Sequence, residues 1–359
     1  METVANRLII DYNSSIMFKP IYTITNKLLS NIKQINSIVL DLNNRRFSKV
    51  VLYELERSAR EISTYTSTSI EGNPLPLTDV KQILKTQPQN LRSSEQEVIN
   101  YNKALEELNK NLKTGSVPFS LDLILSIQKQ AVDKLVPKYQ IGKLRVEPVF
   151  VNNPKTGNTA YWPPDAKDVL RLMNDLVSFA TSSKGVIDSL IIAGIFHKQF
   201  VIIHPFMDGN GRTARLSTKV LLADMGLNTF NLFSFENYYN RNVTNYFNNV
   251  GILGNYYDIV NSIDFTNWLE YFSDGIIDEL FRVKKLLLKV SNSPKTEIMP
   301  YHKKILEFIR EKGYISDRDY AKLTKRAKAT RSLDFKKLID MGLIKRKGRG
   351  RATYYQLKE

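Results

Sequence analysis

A short segment in the middle of the chain concentrates residue types that together can bind a phosphorylated ligand and move a proton. Its members are, in order, His204, Asp208, Gly209, Gly211, Arg212 and Arg215. Glycines let the backbone approach an anion closely, and the free N–H groups at the start of a helix point towards it. A carboxylate is a suitable Mg²⁺ ligand, guanidinium groups bind phosphate oxygens, and imidazole accepts protons near neutral pH. The segment therefore predicts a phosphate-binding loop that carries a metal ligand and a general base.

Two apolar helices are predicted to position this loop. Apolar residues recur at spacings of three and four before it, and a second apolar run, Leu216–Leu222, follows it. We expect Arg212 and Arg215, which are three residues apart, to share one face of the second helix. Phe206 is expected to point inward and fix the loop to the core.

The segment resembles the signature of the Fic family, His-x-Phe-x-Asp/Glu-Gly-Asn-Gly-Arg-x-x-Arg, and matches it at every fixed position. The resemblance implies a protein adenylyltransferase, which uses ATP and Mg²⁺ to attach AMP to a Ser, Thr or Tyr hydroxyl of a target protein and of itself. It also implies a role for each residue: proton acceptor for His204, Mg²⁺ ligand for Asp208, binding of the α- and β-phosphates for Gly209, Asn210 and Gly211, and orientation of the β- and γ-phosphates for Arg212 and Arg215.

A β-hairpin is predicted upstream of the loop. Valines approach alternation over 146–151, turn-forming residues occupy 152–158, and Pro163-Pro164 prevents the second strand from continuing. The segment 149–162 resembles the flap that in Fic proteins lies over the active site and docks the target segment by main-chain pairing. A surface hairpin without function is the alternative.

Two further aromatic side chains, Tyr246 and His197, have either a functional or a purely structural role. Downstream of the loop, Asn242 and Tyr246 resemble a family segment in which an aromatic residue contacts the adenine, although Phe247 replaces the second tyrosine of that pattern. Aromatic pairs at helical spacing are also common in cores, so both interpretations of Tyr246 stay open. We interpret His197, seven residues before His204, as a packed helix histidine.

An inhibitory motif is indicated near the N-terminus. The residues Ser67-x-x-x-Glu71-Gly72 resemble the Fic inhibitory pattern Ser/Thr-x-x-x-Glu-Gly/Asn, and they follow a helical pattern that begins at Phe47. On a helix, Ser67 and Glu71 share a face. We expect the Glu71 carboxylate to pair with Arg215 and to occupy the space that the γ-phosphate needs. A solvated glutamate at a helix end is the alternative.

The last segment of the chain is strongly basic. Between Tyr301 and Glu359 there are 18 Lys and Arg against 7 Asp and Glu, so +11 of the formal charge of +16 lies here. The pattern predicts three helices and a two-stranded wing, the winged helix-turn-helix arrangement. Its predicted elements are helices Tyr301–Lys312, Asp317–Leu323 and Ala329–Met341 and strands Leu343–Lys347 and Ala352–Leu357. With cations such as Arg331, Lys336 and Arg346, the module could bind DNA or dock a protein, including a second copy of the chain.

The sequence as a whole predicts a mainly α protein with a Fic-type helical core, a β-hairpin flap and a C-terminal winged helix. The expected regions are 1–110 with the inhibitory helix, 111–290 with the catalytic core, and 298–359, with a linker at Ser291–Pro300. The chain contains no cysteine and no apolar run long enough to span a bilayer. These features, with a polar start at Met1–Arg7, favour a soluble, unexported cytoplasmic protein without a membrane partner.

Two alternative functions are open at this point. One is a different transfer on the same fold, such as phosphorylation or the removal of AMP; family members that phosphorylate carry lysine at the second glycine of the motif, where this chain has Gly211. The other is a DNA-binding regulator whose Fic core senses nucleotide. His204 argues against a sensor, because sensing needs the phosphate-binding loop but no base.

Overall fold

A computed structural model describes residues 18–45, 49–115, 117–152, 158–226, 230–291 and 299–358. The chain in these ranges is mostly helical, as predicted. The helices are α1 (Asn26–Asn43), α2 (Lys49–Ile70), α3 (Leu77–Thr86), α4 (Ser93–Thr114), α5 (Leu121–Ala131), α6 (Ala166–Ser182), α7 (Ser189–Ile203), α8 (Asn210–Ala223), α9 (Glu236–Asn240), α10 (Val243–Val250), α11 (Tyr256–Ile259), α12 (Thr266–Ser291), α13 (Pro300–Lys312), α14 (Asp317–Leu323) and α15 (Lys328–Asp340). The strands are β1 (Val151–Asn152), β2 (Thr159–Trp162), β3 (Gly254–Asn255), β4 (Ile315–Ser316), β5 (Ile344–Lys347) and β6 (Tyr354–Leu357).

The chain forms two compact units. The first takes in the chain up to Arg45 and Glu56–Val283, and the second takes in Arg46–Leu55 and Lys284–Glu359. The expected boundary at residue 110 falls inside α4 and inside the first unit. The predicted linker lies largely outside the described residues, as does the polar start at Met1–Arg7, so the division into three regions stays a prediction.

The centre of the first unit is α7. Its residues are apolar around almost the whole circumference, and 13 of its 15 positions are buried. A helix that is apolar on all sides is stable only when neighbours surround it. The side chain of Asp188 accepts a hydrogen bond from the Leu190 N–H and caps the start of the helix. Since α7 ends at Ile203 and α8 begins at Asn210, the candidate loop connects two buried helices, as predicted.

The predicted hairpin is present. Strands β1 and β2 pair in antiparallel register, with Val151 opposite Tyr161, while the tip over 153–157 lies outside the described residues. The structure adds a third strand, β3, which pairs in parallel with β2, so β1 is an edge of the sheet β1-β2-β3. The Tyr161 hydroxyl donates a hydrogen bond to the Ile202 carbonyl and so fixes the hairpin to the end of α7.

The second unit contains α13, α14 and α15 and a sheet with the order β4-β6-β5. These helices and strands lie within two residues of the predicted elements, and β4 is additional. Their apolar faces enclose a small core that includes Ile305, Tyr320 and Phe335. A three-helix unit with a short sheet therefore follows from the local sequence pattern.

Arg331 makes several contacts within this unit. Its Nε and Nη2 atoms donate to the carboxylate oxygens of Asp317 at 2.8 and 2.9 Å, and its Nη1 donates to the Arg326 carbonyl. The guanidinium therefore ties α15 to α14.

None of the helices in the described part of the chain is long and apolar enough to cross a membrane.

Candidate active site

The loop between α7 and α8 has a sharply defined backbone. It begins at His204, whose φ of 50° lies in the left-handed region, and Gly209 has a φ of 82° just before α8. A side chain at Gly209 would also place its Cβ 2.6 Å from Val132 Cγ1, so glycine is required twice over at this position. The side chain of Asn210 closes the loop, because it accepts from the Phe206 N–H and donates to the Phe206 carbonyl.

This closure refines the predicted roles of two residues. Phe206 is fully buried, which confirms the expectation that it points inward. The side chain of Asn210 is 5% exposed and holds the loop together. Of Asn210, therefore, only the main chain at the start of α8 is left to face an anion.

His204 is arranged as a proton acceptor. Its Nδ1 atom lies 3.3 Å from the Val201 carbonyl oxygen. Since a carbonyl can only accept, Nδ1 carries the proton of the neutral ring and Nε2 keeps its lone pair. The loss of solvent around the ring lowers the pKa of His204 to about 4, so the imidazole is neutral at physiological pH. The ring therefore has one nitrogen ready to take a proton.

Sequence reasoning missed Arg145, which fixes the backbone at His204. This side chain is 3% exposed and donates to main-chain carbonyls, among them His204 at 2.8 Å. It also reaches the carbonyls of Glu147, Pro164 and Ile203, and its own N–H donates to the Pro205 carbonyl. The only sequence signal is an arginine directly before the hairpin. Its partners are distant main-chain groups, which no local pattern reveals.

The two arginines of α8 do not share partners, although they are three residues apart. Arg212 donates from Nη2 to both carboxylate oxygens of Asp208, at 3.0 and 3.1 Å. Its Nη1 lies 3.2 Å from Glu97 Oε1, and Glu97 also accepts from Asn73 Nδ2. Glu97 is a second residue that sequence reasoning missed, and burial raises its pKa. It connects Arg212 with the residue that follows the inhibitory motif.

Arg215 faces the inhibitory motif, as the sequence predicted. The fully buried guanidinium donates to Ser67 Oγ at 2.7 Å and to Glu71 Oε1 at 2.8 Å. Glu71 Oε1 also lies against Gly211, where any Cβ would collide with it. Gly72, with a φ of 90°, ends the helix directly after the carboxylate. The structure thus places Ser67, Glu71 and Gly72 beside the loop.

The residues around the loop fit a triphosphate and a magnesium ion. Arg215 Nη1 is buried and has no hydrogen-bond partner among the described residues, so it is available to an anion at this point. The Asp208 side chain is 48% exposed and can be reached by a cation. No group of three or more metal-ligating side chains occurs in the described ranges. A single carboxylate is nevertheless suitable, because Mg²⁺ commonly binds one or two carboxylates and completes its shell with phosphates and water.

Tyr246 requires a correction. It is 1% exposed, its ring stacks on Tyr239 with centroids 4.9 Å apart, and its hydroxyl lies 2.9 Å from His197 Nε2. The ring therefore packs in the core and does not face an adenine. The neighbouring Phe247 is 44% exposed. The helical period turned the first aromatic residue inward and the second outward, which the motif alone does not specify.

His197 is a packed core histidine, as predicted. Its Nδ1 lies 3.0 Å from Thr218 Oγ1, and burial lowers its pKa to about 3. Because the Thr218 hydroxyl donates to the Ala214 carbonyl, it accepts from Nδ1, and Nε2 accepts from Tyr246. Both ring nitrogens are thus used in packing α7 against its neighbours.

Comparison with known proteins supports this geometry. Residues 118–222 match the sequence model of the Fic/DOC family. The chain is 27% identical over 212 residues to a protein adenylyltransferase Fic of Nematostella vectensis, covering 56% of this chain and 48% of that protein. It is 31% identical over 179 residues to protein adenylyltransferase fic-1 of Caenorhabditis elegans, covering 48% of this chain and 34% of that protein. The chain thus spans between a third and a half of the length of these relatives.

Solved structures have the same fold. A Fic family protein from Desulfovibrio desulfuricans aligns with a TM-score of 0.64 at 20% identity, over 95% of this chain and 98% of that one. Fic-1 from C. elegans aligns with a TM-score of 0.56 at 23% identity, over 74% and 73% of the two chains. The matched residues include α5, α7, the loop and most of α8. The chain therefore carries a Fic/DOC-family domain.

Proposed function

We propose that this chain is a protein adenylyltransferase, which transfers AMP from ATP to a hydroxyl side chain of a target protein and of itself. The observation that carries the proposal is the neutral His204, with Nε2 free to accept a proton, at the start of a loop whose far end is a buried helix N-terminus. A base and an anion site that adjoin in this way suit a reaction in which a hydroxyl attacks a phosphate.

The reaction then follows from the positions of these groups. The target hydroxyl gives its proton to His204 Nε2 while its oxygen forms a bond to the α-phosphorus. The bond between the α-phosphorus and the bridging oxygen to the β-phosphorus breaks, and pyrophosphate leaves. Main-chain N–H groups at 209–211 and the guanidinium groups of Arg212 and Arg215 bind phosphate oxygens. Asp208 is the residue that would hold Mg²⁺, and the ion would supply charge neutralisation on the phosphates.

The target is proposed to dock along the hairpin. Strand β1 is an edge of its sheet, and an edge strand offers unpaired N–H and C=O groups to an extended peptide. Phe150, just before this strand, is 56% exposed and can pack against a side chain of the docked segment. A target segment paired with β1 would be fixed relative to α7, because Tyr161 connects the sheet to that helix.

Glu71 is proposed to inhibit this activity. Its carboxylate occupies the space beside Gly211 and pairs with Arg215, the same guanidinium that would bind phosphate. A γ-phosphate and the Glu71 carboxylate would then compete for the Arg215 guanidinium, and the two negative charges would repel each other when both are next to it. ATP bound next to Glu71 would be held in an unproductive pose.

The test uses two labels on ATP. The Glu71→Gly protein is incubated with Mg²⁺ and ATP labelled at either the α- or the γ-phosphorus, and protein-bound label is measured. AMP transfer predicts label from α-labelled ATP only. Label from γ-labelled ATP would instead indicate phosphoryl transfer, and absence of both labels from the chain itself and from added protein lysate would refute the proposal. Release of AMP from a pre-modified substrate by the parent protein would identify the reverse activity.

For the second unit we propose binding to duplex DNA. Two of its acidic residues, Asp317 and Asp334, are paired with Arg331 and Arg326, and over residues 301–359 the 18 Lys and Arg outnumber the 7 Asp and Glu, so cations dominate the charge. Exposed cations lie on α15, on β5 and directly after β5, namely Lys328, Lys336, Arg346, Lys347 and Arg349. An affinity for duplex DNA that falls steeply as the salt concentration rises would support this proposal. In Lys347→Ala, the slope of log affinity against log salt concentration should be smaller by about one. Duplex binding that is absent at low salt would favour protein docking instead.

A further inference from the structure

The inhibitory motif is the last part of a longer polar seam between α2 and α8. Two residues of α2, and Glu71 directly after its end, are spaced at intervals of four and contact three residues of α8 that are also four apart. Glu71 lies against Gly211, Ser67 binds Arg215, and Ser63 binds Lys219. The numbers rise along α2 while they fall along α8, so the two helices run in opposite directions at a fixed register. Successive rungs are four residues apart, which is about 6 Å along a helix.

The Ser63 rung differs from the other two because it contains a buried ion pair. Lys219 Nζ donates to Ser63 Oγ at 2.9 Å and lies 3.5 Å from Glu236 Oε2. Both charged side chains are almost completely buried, at 2% and 0% exposure. Ser63 Oγ donates in turn to Glu236 Oε2 at 3.0 Å. The hydroxyl of α2 is therefore inserted between the two charges.

The surroundings of Glu236 fix this pair in place. The carboxylate accepts from Tyr101 Oη at 2.9 Å and from Ser234 Oγ at 3.2 Å, and Lys219 Nζ also donates to the Phe233 carbonyl. A buried charge with this many partners has one well-defined position, because each lost hydrogen bond inside the protein is unfavourable. The pair is thus a rigid receptor for a single hydroxyl.

Besides these rungs, the hydrogen bonds between α8 and this part of α2 in the described residues include one from Arg215 Nη2 to the Ser67 carbonyl at 2.9 Å. The residues from Ser63 to Thr68 that face the core are small hydroxyl side chains, namely Ser63, Thr64, Thr66, Ser67 and Thr68, all at most 1% exposed. Thr66 and Thr68 donate their hydroxyls to carbonyls of their own helix and, within the described residues, make no hydrogen bond to α8. Small, similar side chains interlock weakly, so a seam of this kind depends on its specific polar contacts for register.

We propose that Lys219 and Glu236 are positioning residues for the inhibitory segment, which receive Ser63 and so set the register at which Glu71 meets Gly211 and Arg215. The inference rests on the proposed inhibitory role of Glu71 and extends it two helical turns back along α2. Loss of the Ser63 rung frees α2 to move by part of a turn, and the carboxylate then no longer fills the γ-phosphate space. The catalytic loop itself is not altered.

The test compares Ser63→Ala with a matched control, Thr66→Val. Both changes remove one buried hydroxyl from α2, but only Ser63 contacts the ion pair. We expect Ser63→Ala to raise self-labelling by α-labelled ATP roughly 3- to 10-fold, the equivalent of about one hydrogen bond, and Thr66→Val to leave it unchanged. Hydrogen exchange should accelerate over residues 67–72 in Ser63→Ala and not in the control. The paired variant Lys219→Met/Glu236→Gln removes the receptor without leaving a lone buried charge, and it should reproduce both effects.

The Glu71→Gly background separates the possible outcomes. There, Ser63→Ala should have no further effect, because a positioning residue acts only through the carboxylate that it positions. A rise of the same size in both backgrounds would overturn the inference, and so would unchanged labelling and exchange in Ser63→Ala and in the paired variant. If Glu71→Gly itself fails to raise labelling, the inhibitory proposal fails instead, and the exchange data alone then decide whether the ion pair sets the register.

Discussion

The catalytic loop and the inhibitory segment are held in place by different kinds of contact. The loop is fixed through its main chain, since Arg145 binds the carbonyl of His204 and Asn210 binds both polar groups of Phe206. The segment from Ser63 to Glu71 is held to α8 mainly through its own side chains, and one main-chain group takes part, because Arg215 Nη2 also donates to the Ser67 carbonyl. Main-chain contacts keep a loop in one shape, whereas side-chain contacts can be exchanged for those of a ligand. The difference agrees with the proposal that Glu71 can be displaced from a loop that keeps its shape.

The largest expected effect comes from removing the base. His204→Ala, made in the Glu71→Gly protein so that activity is measurable, should lower transfer of α-labelled AMP about 10²–10⁴-fold, because His204 is the proposed acceptor of the hydroxyl proton. Affinity for ATP, measured by calorimetry, should change little. Undiminished labelling would contradict the assignment of the base and with it the view of the loop as an active site.

Removing the Arg145 side chain, which binds the main chain of the loop, should lower both stability and activity. Arg145→Met retains much of the apolar stem but leaves buried carbonyls without a donor, and we expect the free energy of unfolding to fall by about 2–4 kcal/mol. Urea denaturation measures this loss. Ser67→Ala, on the inhibitory side, is the matched comparison; it removes one hydrogen bond from a guanidinium that keeps its bonds to the Ser67 carbonyl and to Glu71, and it should cost less, about 1–2 kcal/mol. Equal losses would remove the distinction between the two regions.

Removing the inhibitor should raise activity. Glu71→Gly is expected to increase self-labelling about 5- to 150-fold, the usual range for coupling between two sites. Glu71→Gln is the sharper control, because it keeps the size of the side chain and removes only its charge. If both variants labelled no faster than the parent, the pairing of Glu71 with Arg215 would have a structural role only.

The smallest expected effect is the change in kcat/KM when the pH is lowered. An ordinary histidine base would be mostly protonated at pH 5.5, but burial places the pKa of His204 at about 4. The Glu71 carboxylate raises this pKa, so the Glu71→Gly protein should titrate no higher. We therefore predict that kcat/KM of Glu71→Gly at pH 5.5 is within about twofold of its value at pH 7.5, with the acid limb nearer pH 4. An acid limb centred near pH 6.5 would mean that the ring is solvated.

Features that depend on neighbouring residues were predictable from the sequence. The loop, the hairpin and the elements of the second unit each have a local signal, such as Gly209 before α8 or alternation around Val151. The inhibitory motif was predictable because its residues are four apart on one helix and because a complete catalytic motif occurs elsewhere in the chain. Its placement beside Arg215 agrees with the expected pairing.

The remaining features depend on contacts between distant residues. Arg145, Glu97 and Lys219 have ordinary local surroundings, and their partners lie on other elements. The pairing of β3 with β2 joins segments almost a hundred residues apart, and two residues are too short to give a strand pattern. The role of Tyr246 was not predictable, because the motif names an aromatic residue without specifying which side of its helix faces the core. Only the packed structure settled that direction.

The central claim is that residues 204–215 wrap a triphosphate from which Glu71 is displaced. A crystal structure of the Glu71→Gly protein with Mg²⁺ and a non-hydrolysable ATP analogue tests it most directly. We predict phosphate oxygens bound to the main chain at 209–211 and to Arg215 Nη1, with His204 Nε2 within one water of the oxygen that attacks the α-phosphorus. A nucleotide bound elsewhere, or a His204 ring farther away than that, would contradict the account.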